Sequence, residues 1–231
     1  MQIAENVRKI REEIAETAKK CGRNPSEINL IGVTKTVGTE KIKQLLNAGV
    51  TTLGENRVQE FLPKYEELSK LPNPPEWHFI GHLQKNKVKY IINKVTLIHS
   101  VDSISLAQEI NKQAEKIGKV VNILAEVNIA EEFSKFGIPP QQILKFVNDL
   151  KDLRNVQLKG LMCVPPFVEN AHENRLNFGK MRNLQVDILK ESLYSTKLKE
   201  LSMGMSGDYL VAIEEGATMV RLGTALFGER I

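Results

Sequence analysis

Cysteine is scarce in this sequence: Cys21 and Cys163 are the only two among 231 residues. They form no CxxC pair, and neither has a histidine at metal-ligand spacing. A structural zinc site and a disulfide framework are therefore not expected. Two unpaired thiols fit a reducing compartment, so a cytoplasmic location is the expectation. Long apolar runs are also missing. The first residues, MQIAENVRKIREEIAETAKK, are charged and lack the apolar core of a signal peptide. No segment reaches the length of a membrane span, and no membrane partner is expected. Nor does one charge dominate, since 32 Lys and Arg against 28 Asp and Glu leave a formal net charge of +4. The nearest thing to a basic patch is Lys85, Lys87 and Lys89, with only Tyr90 among them. It reads as a solvated helix face, and no nucleic-acid partner is expected. Internal repeats and low-complexity stretches are absent.

What is present suits a globular chain. Hydrophobic residues make up 42% and charged residues 26%, enough to bury a full core. The length fits one domain, residues 1–231, of (β/α)8 size. Ile3, Val7, Ile10 and Ile14 recur at helical spacing and predict an N-terminal helix over 3–20. Short β-branched runs then alternate with amphipathic segments. The runs are INLIGVTK (28–35), VTTLG (50–54), EWHFIG (76–81), VTLIHSV (95–101), VVNILAEVN (120–128), QLKGLMCV (157–164), ELSMG (200–204) and ATMVRLG (217–223). Helical patterns cover 39–47, a segment from Glu55, one capped by Asp102 or Ser103 and running to 117, and 171–193, while 129–152 holds a loop and then a helix with Pro139 and Pro140 at its start. A short helix after Ser206 stops at Gly216, and a last one runs through ALFGE. Strand–helix alternation implies a parallel sheet, and eight units point to a closed α/β TIM barrel with an extra N-terminal helix. A doubly wound open sheet is the competing architecture.

In such barrels chemistry gathers at the C-terminal ends of the strands. Lys35 ends the apolar run LIGVTK. Desolvation there favours a neutral amine, the form that makes a Schiff base with an aldehyde, although a lysine that snorkels to solvent has the same pattern. The loops after strands 7 and 8, SMGMSGD (202–208) and RLGTALFG (221–228), are rich in small residues. Their backbone N–H groups can approach an anion, with Ser206 and Thr224 adding hydroxyls, although ordinary caps and glycine turns look alike. An imine-forming lysine opposite a phosphate cradle suits a phosphorylated aldehyde such as pyridoxal 5′-phosphate (PLP). A Schiff-base aldolase acting on a sugar phosphate is the alternative.

The motifs VTKT (33–36), GENRVQE (54–60), WHFIGHLQKNK (77–87), EVN and SKFG (126–137), GLM (160–162), LSMGMSGD (201–208) and VRLGTALFG (220–228) span the chain in order. On these the sequence resembles the PLP homeostasis protein family, one-domain relatives of the barrel domain of alanine racemase. The resemblance implies that Lys35 carries the PLP imine and that Ser206, Gly223 and Thr224 hold the phosphate, with Met203 and Gly204 lining that loop. It places Asn56 near the cofactor ring and Arg221 against the pyridine nitrogen. His78 lies on the third strand, as a cofactor contact or as a packed histidine. Lys135 matches a second family lysine and is a candidate secondary PLP site.

Arg221 bears on reactivity. A guanidinium can only donate to the pyridine nitrogen, which leaves the ring a weak electron sink. Racemisation would need a second base on the other face. The tyrosine that supplies it in alanine racemase belongs to an additional domain not expected here, and neither Tyr65 nor Tyr209 matches it. The resemblance thus implies a PLP carrier or buffer, with a weak amino-acid racemase as the alternative. Apo PLP-dependent enzymes are the implied partners, and a monomer is expected.

Overall fold

The computed structural model describes residues 2–132, 134–191 and 198–228. Eight strands, β1 (Asn29–Val33), β2 (Thr52–Glu55), β3 (Glu76–Phe79), β4 (Leu97–Val101), β5 (Val121–Glu126), β6 (Val156–Met162), β7 (Glu200–Ser202) and β8 (Met219–Leu222), pair in chain order. All are parallel, and β8 closes on β1 with Arg221 opposite Ile31. The sheet is a closed barrel and not the open alternative.

Two apolar clusters follow from the period-two alternation of side chains along each strand. Ile31, Leu97, Leu124, Met162 and Met219 point inward and fill the barrel. The opposite faces pack outward against the helices, with Trp77, Phe61, Phe79 and Phe178 among the largest buried side chains. Helices follow the strands: α2 (Thr39–Asn47), α3 (Val58–Leu68), α4 (Val88–Ile91), α5 (Ile104–Lys116), α6 (Ile143–Asp149), α7 (Arg175–Lys190), α8 (Tyr209–Glu214) and α9 (Thr224–Phe227). The cap of α5 is Ser103, whose hydroxyl accepts from the Leu106 amide.

The extra helix, α1 (Gln2–Lys20), buries Ile3, Val7, Ile10, Ile14 and Ala18. It packs on α2, α8 and α9, the last two of which follow β7 and β8. Asn6 Nδ2 donates to the Leu226 carbonyl at 2.9 Å, and the Tyr209 hydroxyl donates to Glu13. Just beyond the helix, Arg23 donates to the Ile213 and Ala217 carbonyls, each at 2.8 Å. The N-terminal segment thus braces the elements that carry the loops after β7 and β8.

Several boundaries differ from the sequence pattern. The helix after β2 begins at Val58, because Glu55 still belongs to the strand and Arg57 is extended (φ −134°). β7 is only three residues long, since Gly204 turns the chain at φ +90°. The pattern over 171–193 resolves into a 3-10 turn, Ala171–Asn174, and α7; residues 192 and 193, and the Glu229 end of the last pattern, lie outside the described residues. No described helix is long and apolar enough to cross a membrane. Of the two cysteines, Cys21 is exposed and Cys163 buried, and both are free.

Candidate active site at the C-terminal mouth of the barrel

A cavity of about 500 Å³ opens where the strands end, and Lys35, Asn56, Lys135, Ser206, Arg221, Gly223 and Thr224 all line it. The structure therefore brings together seven residues drawn from five of the eight βα units, those of β1, β2, β5, β7 and β8.

Lys35 is held by its neighbours. Thr34, directly after β1, is fully buried; its amide donates to the Gly54 carbonyl at 3.0 Å and its hydroxyl to Glu55 Oε1 at 2.7 Å. Lys64 Nζ donates to the Thr34 carbonyl at 2.7 Å and to Glu55 Oε1 at 2.5 Å. On the other side Thr36 sits at φ +62°, its amide donating to Glu60 Oε2 at 2.8 Å. The backbone of Lys35 is thus anchored at both ends. Glu55 Oε1 is thus taken up by Thr34 and Lys64. The half-buried Lys35 side chain has no hydrogen-bond partner among the described residues.

Asn56 follows β2. Its Oδ1 is buried and has no partner among the described residues. An unpaired buried amide oxygen carries a free-energy cost that a bound polar group would remove.

Arg221, at the inward-facing third position of β8, is buried. Nη1 donates to Ser202 Oγ at 2.6 Å and Nη2 to the Cys163 carbonyl at 2.8 Å. Burial lowers its pKa from the ordinary value, but a guanidinium remains a cation and a pure donor. The Cys163 thiol beside it is pushed up to about 12 by burial and is chemically quiet.

Loops 7 and 8 meet through Ser206. Its hydroxyl accepts from the Gly223 amide at 3.3 Å and the Ala225 amide at 3.2 Å. Two backbone donors at the start of α9 thus already converge on one oxygen, as a small anion would require. Loop 7 is fixed by Asp208, whose Oδ1 accepts from the Met205 amide at 2.7 Å and whose Oδ2 accepts from Asn174 Nδ2 at 2.9 Å.

Lys135 reaches the cavity from the loop after β5, Nζ lying 3.4 Å from the Pro165 carbonyl and 3.6 Å from Glu132. Beside it Phe136 stacks on His82, ring centroids 3.8 Å apart. Phe167, 92% exposed, stands at the rim.

Three residues singled out from the sequence do not line the mouth. Met203 and Gly204 are buried behind it, and their neighbours Met205, Ser206, Gly207 and Asp208 form the wall instead. The reason is the turn at Gly204, which swings the chain outward only after that residue. His78 points into the barrel, where its Nδ1 lies 2.9 Å from His99 Nε2, and it lines the opening at the opposite, N-terminal end. The packed alternative describes its surroundings.

Glu126, the last residue of β5, was not singled out by the sequence. Its Oε2 is buried without a partner among the described residues, and burial, with Asp102 adding, pushes its carboxyl up to about 7. No cluster of three or more metal-ligating side chains occurs among the described residues.

The alanine racemase N-terminal domain family matches residues 2–231. A pyridoxal phosphate homeostasis protein of Aquifex aeolicus is 46% identical over 230 residues, which cover 100% of this chain and 99% of that protein. PipY of Synechococcus elongatus, whose structure was solved with PLP bound, is 34% identical. It superposes with a TM-score of 0.86 over 98% of this chain and 100% of PipY. Alanine racemase of Clostridium difficile shares the fold, with a TM-score of 0.73 at 19% identity, 98% of this chain matching 57% of that enzyme.

Proposed function

The chain belongs to the pyridoxal phosphate homeostasis proteins, within the alanine racemase N-terminal domain family, and on that premise we propose that it binds PLP in this mouth, with Lys35 as the covalent attachment point, and buffers and delivers the cofactor. The observation that carries the reading is the convergence of three complementary groups on one cavity. These are the unpaired Lys35 amine, the Gly223 and Ala225 amides gathered at Ser206, and the Arg221 guanidinium.

Bound PLP supplies a reactive aldehyde, and the protein's contribution is to hold it. Lys35 would form the imine with the aldehyde. Ser206, Thr224 and the two amides would hold the phosphate. Arg221, a pure donor, would pair with the ring nitrogen in its unprotonated form, which would leave the ring a poor electron sink. Asn56, with its unpaired Oδ1, would accept a hydrogen bond from the bound group. This donor set favours storage over transformation. Lys135, at the same rim, is a second amine within the mouth and suits a transient hold during entry or release. The chain acts as one domain and as a monomer in the reducing interior of the cell, with apo PLP-dependent enzymes as recipients.

The test is an absorbance titration with PLP for the native protein and Lys35→Ala, followed by borohydride reduction and peptide mapping. A visible band, absent in the variant, with the label on Lys35, is the expected result. A label spread over surface lysines such as Lys85 would overturn the binding reading. For delivery, apo-enzyme is mixed with the loaded protein or with an equal amount of free PLP. Reactivation no faster from the protein overturns transfer.

A further inference from the structure

Behind the mouth, a row of hydrogen bonds crosses the barrel interior. Arg221 Nη1 donates to Ser202 Oγ at 2.6 Å, Ser202 Oγ lies 2.8 Å from His99 Nδ1, and His99 Nε2 lies 2.9 Å from His78 Nδ1. The side chains belong to β8, β7, β4 and β3. Ser202 and His99 are fully buried and His78 is 5% exposed. His78 ends the row at the N-terminal opening, beside Asn29, Thr96 and Asn122.

The direction of every proton follows from one end. Arg221 can only donate, so Ser202 Oγ accepts from it. Among the described residues the only other partner of Ser202 Oγ is His99 Nδ1. Were His99 to donate there, the hydroxyl proton would be buried without an acceptor, which is costly. Ser202 therefore donates to Nδ1, and the His99 proton sits on Nε2. His99 then donates to His78 Nδ1, and the His78 proton also sits on Nε2, facing the opening. Burial keeps both rings neutral, His78 being pushed down to about 4 and His99 well below the ordinary value.

We infer that Ser202, His99 and His78 are positioning residues, a one-way relay that fixes the guanidinium plane of Arg221 so that its remaining donors face the ligand's ring nitrogen. Nη1 and Nη2 are tied to Ser202 and to the Cys163 carbonyl, so the fork cannot rotate freely. A hydrogen-bonded row in a low-dielectric interior also polarises cooperatively, which strengthens the Ser202 end. Three side chains remote from the cavity thereby set the protonation state of the ring. This part rests on the proposed binding of PLP; the tautomer order does not.

The first experiment needs no cofactor. Long-range proton–nitrogen correlation of histidine-labelled native protein at neutral pH reads the protonated nitrogen of each ring, assigned with His78→Gln. Both protons on Nε2 is the expected result; His99 protonated on Nδ1 overturns the relay. In Ser202→Ala the order is lost, and His78, which does not touch Ser202, is expected to shift from a single tautomer towards a mixture. An unchanged His78 overturns the coupling. With PLP, Ser202→Ala is expected to bind at least fivefold more weakly and to move the visible band, while Ser202→Thr, which keeps the hydroxyl, restores both. The band and affinity of Ser202→Ala matching the native values overturn the positioning role. Native protein that shows the tautomer order but takes up no PLP refutes the PLP reading and leaves the relay standing.

Discussion

Gly81 lies so close to Asn56 that a Cβ at position 81 would sit 2.3 Å from the Asn56 carbonyl oxygen and 2.6 Å from its Cα. Both residues line the mouth, and the contact is between backbones, so neither side can yield by a rotamer change. Gly81→Ala is therefore expected to push Asn56 off its position after β2. Overpacking of this kind costs roughly 1–3 kcal/mol. Urea unfolding should show a lowered midpoint at unchanged slope, and PLP titration a weakened site. A variant with native stability would mean that the loop after β3 shifts freely.

Glu126 gives a pH dependence of definite sign. Its folded pKa of about 7 lies above the ordinary carboxylate value of 4.5. Between those values the folded protein keeps a proton that the unfolded chain has released, so stability falls as pH rises from 4.5 to 7. A shift of that size corresponds to at most about 3 kcal/mol. Glu126→Gln carries no proton to lose, so it should flatten this fall and be more stable than the native protein at pH 8. Denaturant unfolding at pH 5 and pH 8 decides it; parallel pH profiles of the two proteins would refute the assignment.

The two core histidines act in the opposite sense. His78 is held down to about 4 from 6.5 by burial, with His99 lower still. Below pH 6.5 the unfolded chain takes up protons that the folded core refuses, so stability is lost as pH falls towards 4. His78 alone accounts for about 3 kcal/mol over that range. Glu126 masks part of the loss in the native protein, since its effect runs the other way between 4.5 and 6.5. In the Glu126→Gln background the acid decline should be steeper, and adding His78→Asn should make it shallower, even though that change lowers stability at neutral pH.

How far these features were legible differs by residue. Lys35, Ser206, Arg221 and Thr224 lie at strand ends or in small-residue loops, local signals that the chain displays within a few positions. The eight-unit alternation likewise carried the barrel, because each unit is a local pattern. The contact between His78 and His99 joins residues 21 apart, and that between His99 and Ser202 joins residues 103 apart. No short-range pattern encodes such a pairing. A weak trace exists in LIHSV, where a histidine stands two positions after Leu97, at the inward-facing spacing of a strand whose other positions are apolar apart from Ser100. That Met203 and Gly204 sit behind the cavity is not legible locally, because loop direction depends on the positive φ at Gly204, and glycine adopts either sign.

Ser206 offers the sharpest separation of binding from attachment. Its hydroxyl accepts from the Gly223 and Ala225 amides across the gap between loops 7 and 8, and it lies away from the polar partners of Arg221 and from the anchors of Lys35. Ser206→Ala removes one donor to a phosphate and leaves the two amides without their side-chain acceptor in the free protein. A hydrogen bond to a charged group contributes about 1.5–3 kcal/mol, which corresponds to roughly 10- to 150-fold in Kd. The variant should therefore bind PLP at least tenfold more weakly. At saturation its visible band and borohydride label should match those of the native protein, because the groups that face the aldehyde and the ring nitrogen are untouched. An affinity within twofold of native would place the phosphate elsewhere in the mouth, whereas a lost band at saturation would mean that loop 7 also positions Lys35.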